Sequence, residues 1–165
     1  MSTTLTPLLS ELRFTVTEAA NICEMDSQVL RNWCGVGRIV PVIRGHRGNK
    51  SHHYFSVAQV MGVTIAESML REGWCSRRRA IQVIEAIAGM DEDTVREWLK
   101  IDADDRTEER AAIYHSGHPL FAPNESIPTL PGLKQATREM ARRLYRVRQA
   151  VVARLAGRAL RFNKR

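Results

Sequence analysis

The amino-acid sequence predicts a mainly α-helical protein with one small β hairpin. Apolar residues recur at three- and four-residue spacing in residues 16–23, 57–70, 76–89 and 133–160, a pattern typical of helices with one buried face. Between the first two of these segments, residues 42–56 place two short β-like ends around a tip rich in glycine and arginine. The 165 residues are enough to bury one core but few for two full domains.

Residues 14–41 predict two short helices joined by a tight turn. The first helix should begin near Val16, because Thr15 stands three residues before Glu18 and the two can form a reciprocal capping box. Apolar residues then recur on one side of about two helical turns. This face requires a packing partner elsewhere in the chain.

The second helix of this pair carries the candidate chemistry. Asp26 or Ser27 can cap its N-terminus. The residues expected to face the core are Val29, Leu30 and Trp33. The residues expected to face outward are Gln28, Arg31 and Asn32. Arginine, glutamine and asparagine form paired hydrogen bonds with guanine or adenine edges, and arginine also neutralises phosphate. The helix is therefore predicted to read DNA.

Residues 42–56 suit a protruding wing. Long cationic side chains on such a hairpin can reach a phosphate backbone without disturbing the core. The candidates are Arg44, Arg47 and Lys50.

The order of these motifs resembles the MerR-type winged helix-turn-helix. The matching residues are Phe14-Thr15-Val16-x-Glu18-Ala19-Ala20, Val29-Leu30-Arg31-x-Trp33, Gly37-x-Ile39-x-Pro41 and Tyr54-Phe55-Ser56. The likeness extends through the predicted helix 57–70 and the turn Glu72-Gly73-Trp74-Cys75. It covers residues 14–87, about half of the chain.

The resemblance implies a homodimer, held by a long C-terminal helix, that binds a pseudo-palindrome in double-stranded DNA and bends or untwists the DNA between half-sites. It implies that Arg31 and Asn32 face DNA, with Asn32 in place of a frequent tyrosine. Arg44 and Arg47 match wing positions. His53 stands where the family usually has an arginine before the aromatic pair.

The next two helices are expected to support this reading unit. Trp74 should fill the core between the helix of residues 57–70 and a helix that Ser76 can cap and that ends near Gly89. The exposed start of the latter carries three adjacent arginines, Arg77, Arg78 and Arg79. Positive charge at a helix N-terminus opposes the helix dipole, so we expect DNA phosphate to compensate it. The alternative is that these three arginines form a solvated surface that contacts no DNA.

Residues 90–132 differ in character from the rest. The acidic stretch 91–110 predicts a short helix that Asp91 or Asp93 can cap and whose solvated face points away from DNA. Its expected core residues are Val95, Trp98 and Leu99. Residues 111–132 contain four prolines and predict a loop. His115 and His118 in this loop have no third ligand within reach along the chain, so no metal site is predicted there.

Residues 133–160 predict one long helix. Its apolar seam consists of Leu133, Thr137, Met140, Leu144, Val147, Val151 and Leu155. The remaining surface is basic, with Glu139 as the one acidic residue from 133 onward. Two such helices would repel, and the seam, the acidic segment 91–110 or nucleic acid must offset that repulsion. We expect a dimer helix. Packing on the chain's own reading unit and a second nucleic-acid surface are the alternatives.

Composition limits the function classes. The formal net charge of +7 and the pI near 9.9 favour an anionic partner. No segment approaches the roughly 20 apolar residues of a membrane span, and residues 1–13 lack the features of a secretory signal, so we expect a cytoplasmic, nucleoid-associated protein. Three cysteines without CxxC spacing favour neither disulfides nor zinc. No motif of an enzyme or cofactor site is present, so neither is expected.

The sequence therefore predicts a sequence-specific regulator of transcription that binds double-stranded DNA as a homodimer, distorts its operator and meets the transcription machinery. The alternative is an architectural DNA-bending factor like the excisionases of mobile elements. We divide the chain into a tail (1–13), a DNA-binding domain (14–89), an acidic helix with a proline-rich loop (90–132) and a basic helix (133–165). The candidate DNA contacts are Thr15, Gln28, Arg31, Asn32, Arg44, Arg47, Lys50, His53, Tyr54, Arg77, Arg78 and Arg79.

Overall fold

The computed structural model describes residues 8–35, 39, 41, 53–99, 101 and 130–157. Within these residues the protein is mainly helical with one two-stranded sheet, which confirms the mainly helical part of the predicted class. The elements are a 3-10 helix (Leu9–Glu11), β1 (Phe14–Thr15), α1 (Val16–Cys23), α2 (Ser27–Gly35), β2 (Tyr54–Phe55), α3 (Val57–Arg71), α4 (Arg77–Ala88), α5 (Glu92–Leu99) and α6 (Leu130–Leu155).

The small sheet joins the segment before α1 to the segment before α3. β1 and β2 are antiparallel, with Phe14 opposite Phe55 and Thr15 opposite Tyr54. Both phenylalanines are buried. The sequence indicated a β-like end at Tyr54 but not that its partner would be the strand before α1. Residues 42–52, which include the remainder of the predicted wing, lie outside the described residues.

The predicted start of α1 is confirmed. The Oγ1 of Thr15 accepts the backbone N–H of Glu18 at 3.2 Å, and Oε2 of Glu18 accepts the backbone N–H of Thr15 at 2.9 Å. This reciprocal capping box satisfies two of the donors that a helix N-terminus leaves free. α1 therefore begins at Val16, at a position fixed by local hydrogen bonds.

Helix α2 follows the prediction at its start and departs from it at Val29. Asp26 Oδ1 accepts the backbone N–H of Gln28 at 2.7 Å, and Leu30 is fully buried. The prediction that Val29 faces the core is wrong, since this residue is 42% exposed. Cys34, one helical turn after Leu30, occupies the core position instead. Val29 precedes Leu30 by one residue and therefore points about 100° away from it around the helix.

Helix α3, which was predicted as a packed helix over residues 57–70, is the centre of the core. Its two buried hydroxyls are satisfied within the helix, because Thr64 donates to the Val60 carbonyl at 2.8 Å and Ser68 donates to the Thr64 carbonyl at 2.7 Å. α4 crosses closely at Gly62, where an added Cβ would lie 3.3 Å from backbone atoms of Ile84. The absence of a side chain at Gly62 permits this approach.

The predicted caps of α4 and α5 and the predicted core residues of α5 are also confirmed. Ser76 Oγ accepts the backbone N–H of Arg79 at 3.2 Å, and Asp91 Oδ1 accepts that of Thr94 at 2.8 Å. Trp74 is buried between α3 and α4, as expected of a core residue. The buried residues of α5 are Val95, Trp98 and Leu99.

Helix α6 has different bounds from those predicted, Leu130–Leu155 in place of 133–160. It begins earlier because Pro131 is compatible with the first helical turn, where a backbone N–H has no intrahelical partner. It ends earlier because Gly157, at φ +67°, adopts the left-handed conformation that terminates helices.

Most of the apolar seam of α6 lies inside the protein. Its members Met140, Leu144, Val147 and Val151 are buried, Leu155 is partly buried, and the neighbouring Ala150 is buried as well. The side chains of the predicted seam residues Leu133 and Thr137 lie outside the described part of the chain. The buried residues belong to one core with residues of α1 and α3, the helices that α6 contacts most. The expectation that this seam meets a second copy is therefore corrected: these side chains pack within their own chain.

Candidate nucleic-acid interface

The exposed face of α2 carries the three polar residues that the sequence assigned to it. Gln28, Arg31 and Asn32 are all exposed. Gln28 Nε2 donates a hydrogen bond to Asn32 Oδ1 at 3.0 Å, as expected for residues one turn apart on a helix surface. The face therefore presents one guanidinium and two side-chain amides, the amides oriented by each other.

A groove of about 530 Å³ separates α2 from α4. Asn32 and Arg77, which the sequence placed in two separate DNA-binding elements, both line it. Val29, Trp33 and Leu70 add apolar surface. The structure thus brings together α2 and the arginine-rich start of α4. It also adds Val29 to the surface, a residue that the sequence interpretation placed in the core although the Leu30 and Cys34 spacing indicated otherwise.

The turn between α1 and α2 is held by arginines from two other helices. Glu24 ends α1 in the left-handed conformation (φ 54°, ψ 44°), which costs a residue other than glycine about 1–2 kcal/mol. Its carbonyl accepts a hydrogen bond from Arg71 Nη2 at 2.7 Å. Its carboxylate pairs with Arg142 at 2.8 Å and with Arg146 at 3.4 Å. These contacts fix the direction in which α2 leaves α1.

Four arginines of α6 are paired with carboxylates of the same chain. Arg142 and Arg146 meet Glu24, and Arg143 pairs with Glu67 at 2.9 Å. Arg154 hydrogen-bonds Glu18 and lies 5.5 Å from the ring centroid of Phe14. Arg142 also pairs with Glu139 at 2.7 Å. Carboxylates of α1, of its following turn and of α3, together with Glu139, thus offset the positive charge at these positions. The sequence interpretation had offered the 91–110 segment for this role.

Unlike these arginines of α6, the arginines at the surface formed by α2 and α4 are not paired with carboxylates in the described part of the chain. Among the described residues, no carboxylate forms an ion pair with Arg31, Arg77 or Arg78. Arg79 contacts Gln82 Oε1 at 3.4 Å. Arg77 and Arg78 are exposed and lie in the first turn of α4, where their charge opposes the helix dipole. This surface can therefore accept an external anion without first breaking an ion pair described here.

The arginine cluster on α6 shifts two carboxyl pKa values. Burial alone would raise the pKa of Glu24, but the hydrogen bond from Arg142 and the surrounding arginine charges lower it below its ordinary value. The hydrogen bond from Arg142 lowers the pKa of Glu139 in the same way.

These lowered pKa values predict a loss of stability in acid. The stabilisation is complete above the ordinary glutamate pKa of about 4.3 and is lost as the pH falls from there through the lowered values, because in this range the unfolded state binds protons more readily than the folded state. We expect the urea midpoint to fall over this range and Arg142→Gln to reduce the fall. An equal pH dependence in both proteins, measured by circular dichroism, would exclude Arg142 as the cause.

The remaining candidate DNA contacts lie in or near the small sheet or outside the described residues. The Thr15 side chain caps α1, and Tyr54 is half-buried in β2 opposite it. His53 is half-buried, and its Nδ1 has no hydrogen-bond partner among the described residues. The wing candidates Arg44, Arg47 and Lys50 lie outside the described residues.

The cysteines are unsuited to reactive chemistry. Burial raises the pKa of Cys23 to about 12, and Cys34 is also buried. Burial raises the pKa of Cys75 as well, although this side chain is partly exposed. In the described part of the chain, no group of three histidine, cysteine or acidic residues could hold a metal ion. No helix found there is long and apolar enough to cross a membrane.

Comparison with models of known protein families, with curated proteins and with solved structures finds no match to this chain.

Proposed function

We propose that this protein binds double-stranded DNA and regulates transcription, with α2 as the helix that enters the major groove. The observation that carries the proposal is the exposed set Gln28, Arg31 and Asn32 on one face of α2. These side chains can recognise base edges, and the major groove is wide enough for one helix. In the described residues no carboxylate neutralises Arg31, so its charge is available to DNA.

The distribution of paired and unpaired arginines supports this proposal. Four arginines of α6 pair with internal carboxylates, as Arg143 does with Glu67. Arg77 and Arg78 have none among the described residues, and Arg77 shares a groove with Asn32. In the proposed complex these two arginines contact phosphates beside the groove that α2 reads, which positions the helix without specifying sequence.

The resemblance to the MerR-type winged helix-turn-helix agrees with the order of the described elements: a capped helix pair, a strand and two further helices. On this proposal Arg44, Arg47 and Lys50 form the wing and contact phosphate, with His53 and Tyr54 at its base. Thr15 acts through the cap of α1.

The resemblance also implies that two copies of the DNA-binding domain bind one operator, with their α2 helices in successive major grooves about 34 Å apart. The buried seam of α6 is not available to join them, since it packs on α1 and α3. A homodimer therefore requires contacts from another surface. The symmetry of the bound site, together with the sedimentation mass of the complex, reports the number of copies.

Selection of double-stranded oligonucleotides from a random pool, at a stated salt concentration, tests the function. We expect a defined site to be enriched. Arg31→Ala should weaken binding to it about 10- to 100-fold, because a bidentate arginine–guanine contact is lost. Arg77→Ala should weaken binding to all sequences and reduce the slope of log affinity against log salt by about 1.

The matched control is Arg96→Ala, which removes the same charge from α5. It should leave the enriched site and its affinity nearly unchanged. If Arg31→Ala binds as the unmodified protein does, or if selection enriches no site, the assignment of α2 as the reading helix is wrong.

A further inference from the structure

Val29 is an unusual residue for the exposed face of a helix. It is one of two large hydrophobic residues exposed in the described parts of the chain, the other being Leu8. Valine, a β-branched residue, is also less favourable in a helix than the long polar residues arginine, lysine, glutamine and glutamate. With 42% of its surface exposed, Val29 is only partly buried in the described part of the chain. Its surroundings suggest a role in binding.

The position of Val29 around α2 is defined by the helix geometry. At about 100° per residue, Gln28 and Asn32 lie at the centre of the exposed face and Leu30 lies opposite them. Arg31 and Val29 occupy the two edges. The Val29 edge faces α4, because Val29 and Arg77 line the same groove.

The two amides at the centre of the face are already oriented. Asn32 Oδ1 accepts a hydrogen bond from Gln28 Nε2 at 3.0 Å, so the Asn32 amide nitrogen remains free to donate and its oxygen keeps a second lone pair. Adenine offers an acceptor at N7 and a donor at N6 in the major groove, which an asparagine amide can bind together. Gln28 thereby positions Asn32 for adenine.

The methyl group of thymine lies in the major groove, on the side nearer its own sugar–phosphate backbone. Val29 lines the same groove as the base-reading candidate Asn32 and the phosphate-binding candidate Arg77. We propose that Val29 contacts the C5-methyl group of a thymine in the bound site, beside an adenine read by Asn32. Apolar contact with this methyl group distinguishes thymine from the other bases. The inference depends on the proposed DNA-binding function and specifies which bases the site contains.

Replacement of single thymines by deoxyuridine tests the inference, because it removes the methyl group and keeps the pairing and every hydrogen-bonding group. The probe is the oligonucleotide enriched by the unmodified protein. We expect one thymine in each half-site at which this replacement weakens binding about fourfold, the effect of one methyl group withdrawn from an apolar contact. Val29→Ala should remove the difference between thymine and deoxyuridine. Leu8→Ala, at the other exposed hydrophobic residue, should retain it.

A second modification tests the adjacent contact. Replacement of adenine by 7-deazaadenine removes the N7 acceptor, and should weaken binding of the unmodified protein at one position but not that of Asn32→Ala. If no thymine position responds to deoxyuridine, or if Val29→Ala still distinguishes the two bases, the thymine contact is refuted while DNA binding stands. If 7-deazaadenine acts equally on both proteins, Asn32 does not read adenine. Absence of an enriched site refutes the proposed function itself.

Discussion

Replacement of Glu67 by glutamine is expected to lower the free energy of unfolding by about 3 kcal/mol, because it leaves a buried arginine without its main counterion. The Arg143 side chain is 6% exposed, and its Nη1 lies 2.9 Å from Glu67 Oε2 and 3.0 Å from Ser68 Oγ. Its remaining carboxylate, Glu139, is 3.7 Å away and 42% exposed. Glutamine keeps the shape of Glu67 and removes the charge. Urea denaturation monitored by circular dichroism measures the loss.

Two further variants isolate the charge effect. Glu85→Gln, at an exposed position of α4, should change stability by less than about 0.5 kcal/mol. The double variant Glu67→Leu with Arg143→Met replaces the ion pair by apolar side chains and should recover most of the lost stability. A double variant no more stable than Glu67→Gln would show that the arginine charge is not the source of the loss.

Substitution of Leu144 by alanine is expected to destabilise the protein by about 2–4 kcal/mol, because it leaves a cavity where α6 meets the core. Leu144 is 3% exposed. Since the seam packs within one chain, the urea midpoint of the protein and of the variant should be independent of protein concentration over a hundredfold range. A seam between two copies would instead give a midpoint that rises with concentration.

Gln149→Ala is the matched control for Leu144→Ala, since Gln149 is exposed on the same helix. It should leave the midpoint unchanged within about 0.5 kcal/mol. Analytical ultracentrifugation of both variants gives a second measurement. If Leu144→Ala changes the sedimentation mass while its fold is retained, and Gln149→Ala does not, the seam lies at an interface between copies.

The helices could be predicted from the sequence where they depend on residues that are close together in the chain. The caps formed by Thr15, Ser76 and Asp91 involve residues three positions apart, and the apolar periodicity of α3 extends over its whole length. Such features need no knowledge of the tertiary structure. For the same reason Gln28, Arg31 and Asn32 were identified as exposed before the structure was known.

What the sequence interpretation missed depends on contacts between distant residues. An apolar seam is equally suited to a second copy or to the chain's own core, and only the fold decides between them. The carboxylates that meet the α6 arginines lie in α1, in the turn after it and in α3, where nothing in the local sequence indicates them. The left-handed turn at Glu24 was likewise hidden, because glutamate seldom adopts that conformation.

The attachment of α6 to the first helix also determines when the fold can be completed. The Arg142–Glu24 contact spans 118 positions of the chain, and the Arg154–Glu18 contact spans 136. Contacts of such high sequence separation form late, because the loop between them must be closed first.

During translation, α1 and α2 precede α6 by roughly ten seconds at typical rates of about 5–20 residues per second. Throughout that interval the apolar surface of α1 and α3 lacks its cover, and the turn at Glu24 lacks Arg142 and Arg146. A nascent chain in this state is exposed to chaperones and proteases. The helix proposed to recognise DNA therefore acquires its final support only when α6 has been synthesised.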